Sequence, residues 1–400
     1  MKEKVLLVLA EIPYPATRNG YTLRYYPLIK ELAQYIDVDL ICLADGSGEV
    51  EHGDLTDYTN SITILRTSRA ADSFLDKIKS LSCMFSPWGI PYRCYRHGAV
   101  KLAAQIIDVC ESHYNAVLWV APGLTEALKI CRRSITADRW VMDMIDSPTL
   151  TESRTSGAKT IKGRLKLAKM RRWELDIISV CDLVVYISPR DRQEIEGYVV
   201  DADRKLAVIP NGIFIDNYSS EALTLRTPSI GFLGNMSYLP NVEAVHTLCR
   251  VHAQAKLRVP GLHLYIIGRD PLPEIKAYEA DDISVTGTLD NIWPHVNGVD
   301  LFVLPMAMGA GQQNKMLEVM YAKKPIISSS VSNGGVCAIH GESILIADDE
   351  KSCVEQIVDM FGDLQQMKKI ADGGADFVNQ RYCWDKVGRD FNQKLVGTVA

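Results

Sequence analysis

One stretch in the second half of the chain combines glycines with side chains that can bind an anion. A short apolar run, Leu301–Leu304, leads into the loop 305–313, and a helical pattern begins at Asn314. Glycines let a backbone approach a ligand closely, and the N-terminus of a helix offers free N–H groups with partial positive charge. Asn314, Lys315 and Glu318 share roughly one helix face. This pattern fits a phosphate-bearing ligand, with Lys315 at the phosphate and Glu318 accepting hydrogen bonds from two ribose hydroxyls.

The same spacing also permits an ordinary helix start in which Lys315 and Glu318 form an i,i+3 pair. The residues alone leave both interpretations open. Other loops favour the ligand site, because glycines follow further strand-like runs that would end on the same rim of a sheet. These loops are Gly231–Asn235, Ile267–Arg269, Gly287–Leu289 and Ser332–Gly335.

Several common sites are absent from the sequence. There is no Gly-x-Gly-x-x-Gly, no P-loop, no Gly-x-Ser-x-Gly and no zinc-type spacing of cysteine and histidine. Of the two Asp-x-Asp strings, Asp37–Asp39 opens a strand, and Asp201–Asp203 lies in a loop beside basic residues. We expect structural roles for both. We therefore expect neither a bound metal nor a cofactor.

Short apolar runs alternate with helical stretches, and this alternation occurs twice. Strands read in the first half are Val5–Ala10, Val38–Leu43, Ile62–Leu65, Ala116–Val120, Trp140–Ile145, Leu183–Ile187 and Ala207–Ile209. Those in the second half are Ser229–Leu233, Leu262–Ile267, Ile283–Val285, Leu301–Leu304, Ile326–Ser328 and Ile344–Ile346. Helical patterns include Thr22–Tyr35, Ala99–Ser112, Leu165–Ser179, Val242–Ala255 and Asn314–Ala322. Such alternation predicts an α/β protein of two Rossmann-like, doubly wound parallel sheets that face each other across a cleft.

Composition limits the function classes. The chain has 400 residues, 47% of them hydrophobic, and a formal charge of −5, which argues against a dedicated nucleic-acid binder. Ten cysteines without a Cys-x-x-Cys pair favour buried thiols in a reducing compartment. The apolar N-terminus is short and runs into Pro13, so we expect a first strand there rather than a signal peptide.

A basic segment lies between Ser153 and Trp173, with eight Lys and Arg and no acid. Ile161, Leu165 and Ala168 recur in it at helical spacing. A basic amphipathic helix can bind an anionic membrane, whereas a solvated helix face would also be basic. Both interpretations remain open. The candidate membrane residues are Lys162, Arg164, Lys166 and Lys169.

In its motifs the chain resembles the glycosyltransferases of family four (glycosyl transferases group 1), which have the GT-B fold. The resemblance spans nearly the whole chain, and its most specific part is Lys315–Met320 followed by Pro325-Ile326-Ile327. The other matching segments are Pro13–Gly20, Ile209–Ile213, Gly234–Asn241, Asn333–Gly335 and Tyr382–Trp384.

This resemblance implies domains at 1–210, binding the acceptor, and 211–380, binding a nucleotide sugar. A helix at 381–400 would return to the first domain. It further implies a hexosyltransferase that works with retention and without metal, moving sugar from a UDP- or GDP-linked donor to a glycan or lipid-linked acceptor. Such proteins serve bacterial polysaccharide or glycoconjugate synthesis in the cytoplasm, in some cases on the inner face of the plasma membrane.

The resemblance also implies site residues. The donor-binding set is Asn235, Gly268, Arg269, Thr288, Leu289, Gly309, Gly311, Gln313, Asn314, Lys315 and Glu318. Asn19 and Gly20 belong to the acceptor or phosphate loop. Asp146, at the end of a strand in the first half, is the catalytic candidate, with a helix cap as the alternative role.

Three family positions differ in this chain. Ala310 stands where the family has a second glutamate, and Asn235 and Pro240 stand where it has Arg and Lys for the diphosphate. The family's histidine in the first domain is absent as well. These differences leave open a second function, a non-catalytic GT-B adapter that binds a partner transferase or its acceptor.

Overall fold

A computed structural model describes residues 2–16, 18–45, 50–67, 99–120, 122–155, 160–213, 218–308 and 312–397. The chain divides into two compact units. Unit 1 contains residues 1–210 and 384–400, and unit 2 contains residues 211–383. The C-terminal segment therefore belongs to the same unit as the N-terminus.

Unit 1 is built on a parallel sheet with the order β3-β2-β1-β4-β5-β6-β7. Its strands are β1 (Glu3–Leu9), β2 (Ile36–Asp45), β3 (Ser61–Thr67), β4 (Tyr114–Trp119), β5 (Ala137–Ile145), β6 (Leu183–Tyr186) and β7 (Leu206–Val208). Side chains of β1 alternate between two apolar clusters, with Leu6 and Val8 in one and Val5, Leu7 and Leu9 in the other. Both faces of the sheet are thus covered, as the continuous apolar runs predicted.

The described helices of unit 1 connect these strands. They are α1 (Gly20–Leu32), α2 (Ala99–Val109), α3 (Thr125–Ser134), α4 (Pro148–Thr155), α5 (Ile161–Val180), α6 (Pro189–Glu196), α7 (Ala202–Lys205) and, after unit 2, α15 (Trp384–Val396). Val387, Phe391 and Leu395 of α15 are buried in the cluster that also holds Val5. Gly388 fits because a Cβ there would lie 2.4 Å from the Cβ of Glu31 on α1.

Unit 2 repeats the plan with the strand order β10-β9-β8-β11-β12-β13. Its strands are β8 (Ser229–Leu233), β9 (His263–Ile267), β10 (Ile283–Val285), β11 (Leu301–Leu304), β12 (Ile326–Ser328) and β13 (Leu345–Ile346). All pairings between them are parallel. The chain reverses its direction of travel across the sheet between β8 and β11, and ligands of such sheets bind beyond the strand ends at that switch point.

The described helices of unit 2 follow the same alternation. They are α8 (Leu239–Ala255), α9 (Pro273–Lys276), α10 (Trp293–Gly298), α11 (Asn314–Tyr321), α12 (Ser330–Asn333), α13 (Glu350–Gly362) and α14 (Leu364–Arg381). None of the helices in the described ranges of either unit is long and apolar enough to span a membrane.

Candidate functional site

Lys315 occupies the switch point of the unit 2 sheet. Met316, Leu317 and Met320 bury one face of α11, and this packing fixes Lys315 in the first turn. Its ammonium lies 2.6 Å from Oδ1 of Asn241 and 3.6 Å from Sδ of Met306, just beyond the end of β11. It also stands 4.7 Å from the centre of the Phe232 ring on β8.

Two glycines bring backbone close to this ammonium. A Cβ on Gly234 would lie 3.3 Å from Nζ of Lys315 and 2.7 Å from Nδ2 of Asn241. Gly268 has φ +143°, and a Cβ there would lie 1.7 Å from the carbonyl oxygen of Gly234. The loops after β8 and β9 pack directly against each other beside Lys315, and only glycine fits at position 268 because of this close packing.

Burial acts on both charged groups of α11. It lowers the pKa of Lys315 to about 8 and raises that of Glu318 to about 7. Each charge only partly offsets the shift of the other. Within the described ranges no ion pair or hydrogen bond joins the two side chains, so the i,i+3 pair that the spacing permitted does not form.

Asn314, the first residue of α11, has a buried Oδ1 that lacks a hydrogen-bond partner among the described residues. Gln313 precedes it as N-cap without a side-chain capping bond. Unsatisfied buried polar atoms are rare in native proteins, so this oxygen is a free acceptor for a ligand group at the start of α11. Gly309 and Gly311 lie outside the described residues.

The predicted residues on neighbouring loops differ in their surroundings. Asn235 uses its Oδ1 locally, accepting from N and Oγ of Ser237 at 2.9 and 2.8 Å. Arg269 is 61% exposed, with Asp270 at 3.8 Å, and its carbonyl accepts from N of Met236. Thr288 is exposed and Leu289 is half-buried against the core.

Sequence reasoning did not identify Asn241 or Gln312 as site residues. Gln312 forms a reciprocal pair with the backbone of Asn211, through Oε1 to N and Nε2 to O, both at 2.9 Å. These two bonds tie the start of α11 to the first residue of unit 2. No local pattern indicates the role of Gln312, because its partner is 101 residues away in sequence.

In unit 1, Asp146 directly follows β5 and is half-buried. The residue before it, Ile145, has φ +65°, a conformation that is costly for a β-branched side chain. On the other side, N of Ser147 donates to Asp191 Oδ1 at 2.9 Å, and Oγ donates to Glu174 Oε2 at 3.1 Å. Strained residues held by their surroundings cluster at functional sites, which agrees with a functional role for this loop.

Charges buried near the same strand end are fully partnered. Nε of Arg24 donates to Oδ2 of Asp143 at 2.8 Å, with 1% and 0% of the two side chains exposed. Glu174 accepts from Ser147, from N of Thr149 at 3.0 Å and from Oη of Tyr186 at 2.7 Å. No local pattern in the sequence indicates these contacts.

Asn19 caps α1, because its side chain accepts from N of Thr22 at 2.9 Å in a capping box. Its Nδ2 also donates to Glu11 at 3.0 Å. Gly20 opens the helix, with open space where a Cβ would stand. A hollow of about 380 Å³ beside this loop is lined by Glu11 and Arg18, which form an ion pair at 3.0 Å.

The basic segment contains α5, and its candidate membrane residues differ in exposure and in partners. Lys162 and Arg164 are exposed and Lys169 is half-buried, while Lys166 forms an ion pair with the buried Glu152 at 2.7 Å. Ile161 and Leu165, one turn apart, are 80% and 63% exposed. The helix therefore turns apolar side chains outward among its basic ones, and Lys166 has a structural partner.

The arrangement in unit 2 is suited to an anionic ligand. A cation withdrawn from water costs free energy unless an opposite charge compensates it. The groups that contact the half-buried Lys315 ammonium are neutral, and the charge of Glu318 offsets its pKa shift only in part. A phosphate group at the N-terminus of α11 would supply that charge. Glu318 stands one turn further along, where its carboxylate can accept hydrogen bonds from hydroxyl groups of the same ligand.

One protein-family model matches part of the chain. Residues 227–363 match the family model described as glycosyl transferases group 1. This range covers most of unit 2 and includes Lys315 and Glu318. A relative in Klebsiella pneumoniae, an uncharacterized 44.6 kDa protein in the cps region, is 26% identical over 399 residues, or 96% of this chain and 97% of that protein.

Solved structures share the architecture. Sucrose-phosphate synthase from Thermosynechococcus elongatus aligns over 98% of both chains with a TM-score of 0.67 at 14% identity. HepE from Anabaena, solved in complex with UDP and glucose, aligns over 98% of this chain and 99% of that chain, with a TM-score of 0.63 at 14% identity. The GT-B fold with two Rossmann-like domains is thereby confirmed, and the findings together support a group 1 glycosyltransferase.

Proposed function

We propose that the chain is a retaining glycosyltransferase of hexosyltransferase type that uses a nucleotide diphosphate sugar as donor. The observation that carries the proposal is Lys315, a half-buried cation at the switch point of the unit 2 sheet whose described contacts are neutral. Such a position favours an anion, and the diphosphate of a sugar nucleotide provides one. HepE, of similar fold, was solved with UDP and glucose, which agrees with a uridine donor, and GDP is the alternative base.

In this proposal α11 carries the chemistry of the leaving group. Cleavage of the bond between sugar and diphosphate leaves negative charge on the phosphate oxygens. Lys315 and the free N–H groups of the helix N-terminus stabilise that charge as it develops. Glu318 holds the ribose hydroxyls, and Asn235, Arg269, Thr288 and Leu289 belong to the surrounding loops.

The acceptor is proposed to be a glycan or a lipid-linked sugar bound by unit 1, with Asp146 as the residue that contacts the reacting groups. The relative from the cps region supports polysaccharide or glycoconjugate synthesis. The hollow beside Glu11 and Arg18, next to the loop with Asn19 and Gly20, is a second candidate surface for the acceptor.

Nucleotide binding and turnover test the proposal. The purified chain is screened by thermal shift against UDP, GDP, ADP and dTDP, since a ligand at 100 times its Kd adds about 2.7 kcal/mol of stability. The selected nucleotide sugar is then incubated without acceptor, and slow release of free sugar is expected. Binding without any release would favour the non-catalytic adapter, and no binding to any of these nucleotides would contradict both the donor site and the enzyme.

We also propose that transfer needs no divalent metal, because Lys315 and the helix N-terminus provide the positive charge. Activity in EDTA should equal activity in Mn²⁺. Loss of activity in EDTA that Mn²⁺ restores would show that a metal carries the diphosphate charge instead.

The outward face of α5 is proposed to bind the anionic surface of a membrane. Exposed Ile161 and Leu165 would insert at the headgroup boundary, and Lys162, Arg164 and Lys169 would contact the lipid phosphates. Changing these three basic residues to Ser should abolish co-sedimentation with phosphatidylglycerol vesicles. A matched variant changes the exposed Lys351, Lys368 and Lys369 of unit 2 and should bind as before. Equal binding by all three proteins would contradict the proposal.

A further inference from the structure

Asn241, in the first turn of α8, is 5% exposed and uses both ends of its amide. Its Nδ2 donates to the carbonyl of Asn235 at 2.8 Å, and its Oδ1 accepts from Nζ of Lys315 at 2.6 Å. The carbonyl of Asn235 can only accept, so it fixes the NH₂ end of the amide on its own side. The oxygen is thereby directed at the ammonium.

The oxygen that accepts the hydrogen bond from Lys315 therefore belongs to a neutral amide, that of Asn241. A carboxylate in the place of Asn241 would hold the ammonium as well or better, but it would also cancel the charge. An amide oxygen restrains the position of the ammonium and leaves its full charge for another anion. By contrast, the buried Arg24 of unit 1 forms an ion pair with a carboxylate, with its Nε 2.8 Å from Oδ2 of Asp143.

We propose that Asn241 is a positioning residue that holds Lys315 against the loop after β8 and keeps its positive charge available for the diphosphate of the donor. This inference rests on the proposed function and deepens it. The simpler alternative is that Asn241 only ties the loop after β8 to α8 through Asn235.

Two substitutions separate these roles. Asn241→Asp is nearly isosteric and adds a counter-charge to Lys315, and Asn241→Ala removes the restraint without adding charge. Binding of UDP and of uridine is measured by calorimetry for each, or of GDP and guanosine if the screen selects GDP. A nucleoside lacks the diphosphate, so it reports the base and ribose contacts alone.

We expect Asn241→Asp to weaken UDP binding at least tenfold and Asn241→Ala to weaken it less, with uridine binding unchanged in both. Asn241→Asp should also extend UDP binding to higher pH, because a carboxylate raises the pKa of Lys315. In a chain that already carries Lys315→Met, neither change should weaken UDP binding further. Asn241→Ser serves as a second small variant if either protein fails to fold.

Several outcomes overturn the inference. UDP affinity that is unchanged or higher in Asn241→Asp would show that the charge of Lys315 is not needed. Equal losses of UDP and uridine would indicate a structural role, as would losses that persist in the Lys315→Met background. If the unaltered chain binds no nucleotide, the proposed function fails together with this inference. If Lys315→Met weakens UDP binding but the Asn241 variants bind UDP with unaltered affinity, the inference about Asn241 fails and the proposed function stands.

Discussion

Both units hold charged side chains near the carboxyl ends of their strands, buried in unit 1 and half-buried in unit 2, and the two units give these charges different partners. In unit 1, Arg24 has Asp143, and Glu174 accepts three hydrogen bonds. In unit 2, the ammonium of Lys315 contacts the amide oxygen of Asn241, the thioether of Met306 and the ring of Phe232. The carboxylate of Glu318 makes no hydrogen bond to another described residue.

The difference separates two uses of buried charge. A compensated pair such as Arg24 and Asp143 fixes the position of backbone segments, here β5 and the loop before unit 2, since Arg24 also donates to the carbonyl of Ile209 at 3.2 Å. An uncompensated charge keeps its binding capacity for a ligand. In the proposed donor site such a charge would lower the stability of the unliganded protein, and binding of an anion would offset that loss.

The largest effect is expected from breaking the compensated pair. Arg24→Met leaves Asp143 buried without its cation, which typically costs about 3–5 kcal/mol. Denaturant unfolding followed by tryptophan fluorescence measures this, because most described tryptophans lie in unit 1. These are Trp119, Trp140, Trp173 and Trp384.

The double variant Arg24→Met, Asp143→Leu is the control for this pair. It removes both charges, so it should recover much of the lost stability. An Arg24→Met protein with unaltered unfolding would show that the pair does not stabilise unit 1.

Glu318 should matter for binding rather than for folding. Glu318→Ala removes an acceptor of charge-assisted hydrogen bonds worth about 1.5–3 kcal/mol, so nucleotide affinity should fall about tenfold to a hundredfold. Glu318→Gln retains one acceptor oxygen and should lose less. Calorimetry at pH 8, where the carboxylate is charged, decides the matter, and equal affinity in wild type and Glu318→Ala would place the donor site elsewhere.

The pH dependence of nucleotide binding tests the two charges together. The pKa of Glu318 is raised to about 7, so below that pH it is protonated and loses acceptor strength. The pKa of Lys315 is lowered to about 8, so above that pH it is neutral and loses its attraction for phosphate. Affinity should therefore be highest between about pH 7 and 8.

Variants assign the two sides of this profile. Lys315→Arg should extend binding to higher pH, because a guanidinium keeps its charge. Glu318→Gln should remove the decline on the acidic side. A flat profile in the unaltered chain would contradict the roles of both residues.

The smallest expected effect is a gain in stability. The folded state lowers the pKa of Lys315 from 10.5 to about 8, so the unfolded chain binds this proton more tightly. Stability therefore rises with pH between about 8 and 10.5, and the charged form is unfavourable at neutral pH. Lys315→Met should raise the thermal midpoint at pH 7 by about 2–4 °C for each kcal/mol relieved.

A control for the higher thermal midpoint of Lys315→Met must leave the surroundings of Lys315 unchanged. Asn241→Leu does not meet this condition, because it removes the oxygen that accepts a hydrogen bond from Lys315. Lys324→Met is a better comparison for the thermal midpoint. Burial also lowers the pKa of Lys324, and this residue lies outside the proposed site. A lower midpoint in Lys315→Met would show that the ammonium stabilises the apo fold.

Much of the fold followed from the sequence. Every predicted strand is present, and Ser229–Leu233, Ile283–Val285, Leu301–Leu304 and Ile326–Ser328 have the predicted bounds. Strands buried on both faces consist of continuous apolar residues, and this local signal does not depend on distant partners. Helix ends were less accurate, as for the first helix, predicted to end at Tyr35 and observed to end at Leu32.

The charged interior was not predictable in the same way. Arg24 and Asp143 are 119 residues apart, and no local pattern indicates that they meet. Glu174 follows a run of basic residues, and no local pattern indicates that it is fully buried. Lys315 could be proposed from the sequence because the glycines and the strand end next to it are local, whereas its hydrogen-bond partner Asn241 lies 74 residues away.

The position of α15 has a consequence for the order of synthesis. Residues 1–210 leave the ribosome first, but α15, which buries Val387, Phe391 and Leu395 in their sheet, follows only after unit 2 is made. At about 5–20 residues per second the first unit waits roughly 10–35 s for its last helix. Unit 2, continuous in sequence, can complete its fold before then, so the candidate donor-binding unit is the first part of the nascent chain able to reach its native structure.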